Sequence, residues 1–373
     1  MRYYIITGEQ SGDLHGANLM NHLKNLDSKA QIRAWGGQHL RNSHAFIVKD
    51  IKDLAFMGFW EVLINIRTIL KNFSVCKRDI LSFNPHALIL VDYPGFNLPM
   101  AKWAKEHNFS VYYYIGPQVW AWKENRVKRL KRYIDKLFVI LPFEQSFYQI
   151  RHGYAVEYVG HPLMDYIPGY RKSTEFLKRY HIPESKPIIA LLPGSRKQEV
   201  KRILPIYLRV IQRNPQWIFL IAKVSSIPLE FYQRICRGTK ATIIDNATYD
   251  LLSIAKAALV TSGTATLETA LFKVPQVVCY KTSWLSFVLA RFLVKLKYIS
   301  LVNLILEKPF LTELIQTKCV TKSINHHLQL LMTDENEIYF KKGYKLLQQK
   351  MGTSGASKKT AHLIYSDLKT KAP

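Results

Sequence analysis

Residues Leu259–Ala270 read LVTSGTATLETA. The apolar opening is the end of a buried strand, Ser262-Gly263-Thr264 a turn of small residues, and the remainder the start of a helix. Ser262, Gly263, Thr264 and Thr266 keep the backbone open and bring hydroxyls and N–H groups to the first turn. A helix N-terminus built this way attracts anions, because its first N–H groups have no intrahelical acceptor and the helix dipole adds positive potential. Glu268, one turn in, is placed to reach a sugar hydroxyl beside a bound phosphate. Alone, the stretch reads equally well as an ordinary capped helix of an α/β domain.

A second stretch of the same kind lies upstream. Ile188–Leu192 is a strand, Pro193-Gly194-Ser195-Arg196 a turn and Lys197–Arg213 a helix. Arg196 offers a rigid fork of donors matched to phosphate oxygens. The GxxxxGK[ST] spacing of a P-loop is missing. Two glycine-and-hydroxyl turns at strand ends of one domain predict a shared diphosphate site.

The first half repeats the strand–loop–helix alternation. Tyr3–Thr7 is a strand, Gly8–Asp13 (GEQSGD) a loop and Leu14–Leu26 a helix, the opening of a doubly wound parallel sheet. The glycines at 8 and 12 have the wrong spacing for a dinucleotide fingerprint. Ser11 and Asp13 are candidate helix caps, and the loop equally borders the ligand crevice of such a fold. Ala87–Val91 is a continuous apolar run that delivers Asp92 at its carboxyl end, followed by the turn YPGFN. A carboxylate there suits general-base work, or caps the turn. After the strand Ser110–Ile115, Trp120 and Trp122 are expected in a loop. They precede a helix carrying Lys123, Arg126, Lys128, Arg129, Lys131 and Arg132. GHPLMD at 160–165 reads as the crossing into a second domain.

Composition sets the outer limits. The chain has 373 residues, 48% of them hydrophobic and 21% charged, so two domains with sizeable cores are expected. Fifty-three Lys and Arg against 27 Asp and Glu give a net charge of +26, a surface that favours nucleic acid, an anionic membrane face or phosphorylated substrates. Cys76, Cys236, Cys279 and Cys319 lie far apart without metal-ligand spacing, which predicts reduced thiols in a cytosolic compartment. No charge-free apolar run reaches about 18 residues, so no membrane-spanning helix is expected. Two stretches are unusually apolar. Phe56–Phe73 (FMGFWEVLINIRTILKNF) is a buried helix or an exposed patch for fatty chains. Thr282–Ile305, with Arg291, Lys295 and Lys297 interleaved, has the pattern of an interfacial amphipathic segment or a core helix with snorkelling charges.

The motifs GEQSGD (8–13), MGFWEVL (57–63), VDYPGFN (91–97), GPQVWAW (116–122), LPFE (141–144), GHPLMD (160–165), LLPGSR (191–196) and TSGTATLE (261–268) occur in family order. Over residues 1–350 the chain resembles the lipid-A-disaccharide synthases. That resemblance implies an α/β chain of two Rossmann-like domains facing across a cleft, the GT-B arrangement. Residues 1–165 would take acceptor and lipid, residues 166–345 the UDP-sugar, and residues 346–373 would form a helical tail. The implied reaction is an inverting hexosyl transfer from UDP-2,3-diacylglucosamine to 2,3-diacylglucosamine 1-phosphate, giving the β-1,6 disaccharide 1-phosphate and UDP in the lipid A pathway of Gram-negative bacteria.

The residues fit that chemistry. Gly194, Ser195, Arg196, Ser262, Gly263, Thr264, Thr266, Glu268 and Asn303, the last in a loop-like SLVNLI, are the expected UDP contacts. Asp92, then Asp13, are the candidate bases, and Arg196 stabilises the leaving diphosphate. Ser11, Gly12, Met57, Phe59, Trp60, Trp120 and Trp122 are the expected acceptor and lipid contacts. The sequence has no Asp-x-Asp, so neither metal nor cofactor is expected. Two departures stand out: Gly95 occupies the place of a second Asp found in many relatives, and Gln10 replaces the usual small residue of the first loop. A peripheral position on the anionic inner face of the inner membrane, and a homodimer, are also expected. Two readings compete. One is another GT-B UDP-sugar enzyme, a UDP-N-acetylglucosamine 2-epimerase or a peptidoglycan glycosyltransferase. The other is a non-enzymatic RNA-binding protein, which the charge and tryptophans suggest but no RNP, KH or zinc signature supports; the resemblance implies no nucleic-acid partner.

Overall fold

The computed structural model describes residues 1–53, 66–173, 175–183, 185–239, 241–284, 287–288 and 296–371. Met57, Phe59 and Trp60, and Arg291 and Lys295, lie outside the described residues. The chain divides into two compact units, Met1–Asp165 with Ser354–Pro373, and Tyr166–Thr353.

The first unit is a seven-stranded, all-parallel sheet. Its strands are β1 (Arg2–Ile6), β2 (Gln31–Gly36), β3 (Phe46–Asp50), β4 (Ala87–Val91), β5 (Val111–Tyr114), β6 (Lys136–Val139) and β7 (Glu157–Tyr158), in the order β3-β2-β1-β4-β5-β6-β7. The second is a six-stranded, all-parallel sheet. It comprises β8 (Ile188–Leu192), β9 (Ile218–Lys223), β10 (Thr242–Asp245), β11 (Ala257–Thr261), β12 (Gln276–Tyr280) and β13 (Thr312–Ile315), ordered β10-β9-β8-β11-β12-β13. Both are Rossmann-like α/β sheets. Helices cover both faces, so central strands are apolar without alternation: every residue of β4, β8 and β11 is buried. Each sheet reverses its winding once, between β1 and β4 and between β8 and β11. The crevice outside the carboxyl ends of those strand pairs is where such sheets take ligands.

The C-terminal residues divide between the units. Asp334–Met351 is a helix of the second unit, and Ala356–Lys371 packs along the helix Gln10–Leu26 of the first. Asp165 caps it by accepting the N–H groups of Gly355 (2.6 Å), Ala356 (3.2 Å) and Ser357 (3.2 Å). Tyr112 Oη donates to Asp367 (2.6 Å) at its far end. One carboxylate therefore clips together the point where the chain leaves the first unit and the point where it returns. Among the described residues, no helix is long and apolar enough to cross a membrane. All four cysteines are buried and free.

Candidate active site

Asp92 and the turns after β1, β8 and β11 fall at the two reversal points. In the first unit β4 ends at Val91, and Asp92 and Tyr93 both take left-handed backbone angles, φ +46° and +52°. For residues with a Cβ this costs about 1–3 kcal/mol each and needs surrounding structure to enforce it. The enforcement is visible. The Asp92 carbonyl accepts from Asn97 Nδ2 (2.7 Å) and Tyr113 Oη (2.6 Å), while Asp92 N donates to Tyr114 O (3.0 Å). The loop after β1 packs against the same turn: a Cβ on Gly8 would lie 2.1 Å from Tyr93 Cγ, so only glycine lets the ring lie flat there. With its backbone pinned, the Asp92 carboxyl is aimed by the fold. Burial, with a further push from the Glu9 charge and an opposing Tyr93 N–H, raises it to about 6.

Asp13 has a different task. The helix begins at Gln10, so Ser11 and Gly12 lie in its first turn, with Ser11 exposed and Gly12 buried. Asp13 is 1% exposed, and its oxygens accept the N–H groups of Gly37 (2.6 Å), His39 (2.9 Å) and Leu40 (3.3 Å). It caps the neighbouring helix Gln38–Asn42, not its own. The expectation that Ser11 or Asp13 caps the first helix is corrected: Glu9 holds the N-cap position, and its side chain does not cap the helix.

The tryptophans stand on a short helix, Val119–Trp122, rather than in a loop. Trp120 Nε1 donates to Glu144 (2.9 Å), and its ring packs edge-on against Phe143 at 4.9 Å. Glu144 is buried, also accepts Ile140 N and Leu141 N, and is raised to about 7 by desolvation. Trp120 is thus fixed in the wall, whereas Trp122 is 50% exposed.

In the second unit β8 runs into Gly194 at φ +119°, a conformation natural to glycine, and a Cβ there would meet Glu199 Oε2 at 2.6 Å. Glu199 accepts Ser195 N (3.0 Å) and Arg196 N (3.3 Å), closing the start of the helix Lys197–Gln212. The backbone donors expected here for phosphate are therefore occupied. The turn instead presents the exposed Ser195 and the Arg196 guanidinium, 64% exposed and 3.8 Å from Glu199. At the end of β11, Gly263 and Thr264 are exposed and head the helix Thr264–Leu271, with nothing within 4 Å of where a Gly263 Cβ would be. The first N–H groups of a helix have no intrahelical acceptor, and here Thr266 N turns back to Gly263 O (3.1 Å). Thr266 is buried, and its hydroxyl donates to Gly263 O (2.8 Å), shaping the turn rather than facing solvent. Ser262 Oγ donates to Ile299 O (2.8 Å). Glu268 accepts Tyr249 Oη (2.8 Å) and is raised by burial, against which that bond works.

Asn303 lies in a helix, Leu301–Leu306, not in a loop. It is 1% exposed, donates to Leu311 O and Glu313 Oε1 (both 2.9 Å) and accepts Leu311 N (2.7 Å). Its polar atoms are spent inside the domain. Glu313 also accepts Ile299 N and the Ser300 N–H and hydroxyl, so this network sets the carbonyl that holds Ser262.

Comparison with known proteins decides the family. The lipid-A-disaccharide synthetase family model matches residues 3–364. The chain belongs to the lipid-A-disaccharide synthase family. Lipid-A-disaccharide synthases from Syntrophus aciditrophicus and Geobacter sulfurreducens are 36% and 34% identical to it, each over 98% of this chain and 97% of theirs. That of Coxiella burnetii is 34% identical over 97% of both. Among solved structures, the UDP-GlcNAc 2-epimerase of Neisseria meningitidis bound to UDP-GlcNAc superposes with TM-score 0.69 at 15% identity, covering 98% of this chain and 100% of its own. The S. aureus MnaA–UDP co-structure gives 0.70 at 14%, over 100% and 98%. The calicheamicin glycosyltransferase CalG4 gives 0.61 at 12%, over 100% and 99%. These likenesses establish the two-domain GT-B fold. Family membership makes the protein a hexosyltransferase of lipid A biosynthesis.

Sequence reasoning missed Asn97, Tyr113, Glu144, Glu199, Tyr249 and Glu313. Glu144 and Glu199 alone carried a local signal, a Glu at the third position of a helix.

Proposed function

We propose that the protein transfers the sugar of UDP-2,3-diacylglucosamine to the 6-hydroxyl of 2,3-diacylglucosamine 1-phosphate. Asp92 takes the hydroxyl proton as the oxygen attacks the anomeric carbon. The bond from that carbon to the diphosphate breaks, and UDP leaves with the electron pair. Attack opposite the leaving group gives the β-1,6 linkage. Arg196 and the N–H groups at Gly263 and Thr264 take up the charge that develops on the diphosphate. Ser195 adds a hydroxyl, and Glu268, steadied by Tyr249, holds the ribose hydroxyls. Ser11 and Gly12 border the acceptor beside Asp92. Asp13 and Asn303 act through the elements they tie down and touch no substrate.

The observation that carries this reading is Asp92. A carboxyl at the reversal point of the first sheet, held in a strained turn by Asn97 and Tyr113 and raised to about 6, is a base matched to near-neutral operation. Both substrates carry acyl chains, so the enzyme works as a peripheral protein on the inner face of the inner membrane. The test is Asp92→Asn. Turnover should fall at least about 100-fold while UDP binding is kept. Near-native turnover would remove Asp92 from the chemistry, and lost UDP binding would assign it a structural role.

A further inference from the structure

One face of the first unit carries chemistry that the transfer reaction does not use. The helix Val127–Tyr133 buries Val127 and Leu130 and exposes Lys128, Arg129, Lys131 and Arg132. Across residues 119–133 there are six Lys or Arg and a single carboxylate, Glu124. That carboxylate is neutralised by Arg151 Nε at 2.7 Å. The same bond joins the stretch to the end of the helix Pro142–His152, and Lys131 Nζ adds a second tie to Gly153 O (2.8 Å). Two large apolar side chains project from this patch. Trp122 is 50% exposed, with the Lys123 ammonium 4.2 Å from its ring centroid and Arg126 5.6 Å away. Ile150, directly before Arg151, is 85% exposed.

We propose that this face docks on an anionic phospholipid surface. The inference rests on the peripheral-membrane reading above and names the surface that makes the contact. Cations on one helix face meet lipid phosphates. An exposed tryptophan flanked by cations is suited to the headgroup region, where its ring is half in hydrocarbon, and an exposed isoleucine adds apolar insertion. A bilayer fits better than RNA for two reasons. One of the two tryptophans, Trp120, is only partly exposed, its indole N–H bonded to Glu144 and its ring packed against Phe143, and Ile150 offers a base nothing specific.

The test is flotation of the full chain with vesicles of phosphatidylcholine, with and without phosphatidylglycerol. The wild-type protein should float only with the anionic vesicles, and less at high salt. The variant Lys128→Gln/Arg129→Gln/Arg132→Gln should partition on the order of 100-fold more weakly, since each cation near such a surface contributes a few-fold. Trp122→Ala should weaken partition at fixed charge. The three charged side chains are exposed and Lys131 keeps its tie, so the triple variant should fold normally and turn over detergent-dispersed substrates at the wild-type rate. Absent wild-type flotation, or unchanged partition of the triple variant, overturns the proposal. So does loss of binding to a single-stranded RNA oligonucleotide with vesicle binding intact. Patch-dependent flotation of a wild-type protein that turns over neither lipid substrate would contradict the proposed reaction and leave the surface standing.

Discussion

Asp92 shows the tension between stability and function within one side chain. Its carboxyl is raised from 3.8 to about 6, so the folded state disfavours the ionised form. Below the unfolded value both states are protonated and the group costs nothing. Above about 6 the penalty is complete, at most about 3 kcal/mol and less with partial solvation. Asp92→Asn, a neutral isostere, should therefore raise the thermal midpoint at pH 8 while removing turnover; a lower midpoint would show that the carboxylate stabilises the fold. In the intact enzyme kcat/KM should fall as pH drops through about 6, because only the ionised carboxylate accepts the acceptor proton. Tyr113→Phe removes one of the two donors that pin the Asp92 carbonyl. We expect about a fivefold loss in kcat with UDP affinity unchanged, corresponding to one hydrogen bond of about 1 kcal/mol. Steady-state kinetics with a UDP titration separates this from general destabilisation, which would depress both.

At the scale of elements, Arg196 stands clear of the chemistry of its own turn. Glu199 satisfies the backbone N–H groups of Ser195 and Arg196, so the guanidinium is what remains to meet a diphosphate. Arg196→Ala should lower kcat/KM by about 100-fold or more, with a thermal midpoint near wild type because the side chain is exposed. Near-native turnover would remove it from the site. The strand-end turns were legible in the sequence because they are local: buried apolar runs end in GEQSGD, VDYPGFN, LLPGSR and TSGTATLE, and the parallel sheets put those ends where ligands bind. What those turns spend their polar groups on was not legible. Asp13 finds its acceptor-seeking N–H groups 24 to 27 residues away, at Gly37, His39 and Leu40. Tyr249 reaches Glu268 from a separate helix, and Asn303 meets Leu311 and Glu313 only once β13 is in place. Such pairings belong to the tertiary fold, and hydrophobic periodicity carries no trace of them.

Across the whole molecule, the first unit is completed by the last helix of the chain. Ala356–Lys371 packs on Gln10–Leu26, bonds Tyr112 through Asp367 and is capped by Asp165. Asp165→Ala should cost about 1–2 kcal/mol through the lost cap. Hydrogen exchange should localise the loss to Gln10–Leu26 and Ala356–Lys371, with β8 and β11 unaffected; uniform loss across both sheets would contradict the division into units. The sequence implied a helical tail but not its partner, because a polar amphipathic helix is compatible with many surfaces. The central claim for the whole molecule is the transfer itself. The most direct measurement is UDP release by purified protein given UDP-2,3-diacylglucosamine in EDTA, with and without 2,3-diacylglucosamine 1-phosphate. The account predicts release only when the acceptor is present, together with a disaccharide 1-phosphate product. Release at the same rate without acceptor, or no release with both substrates while UDP still binds, would contradict it.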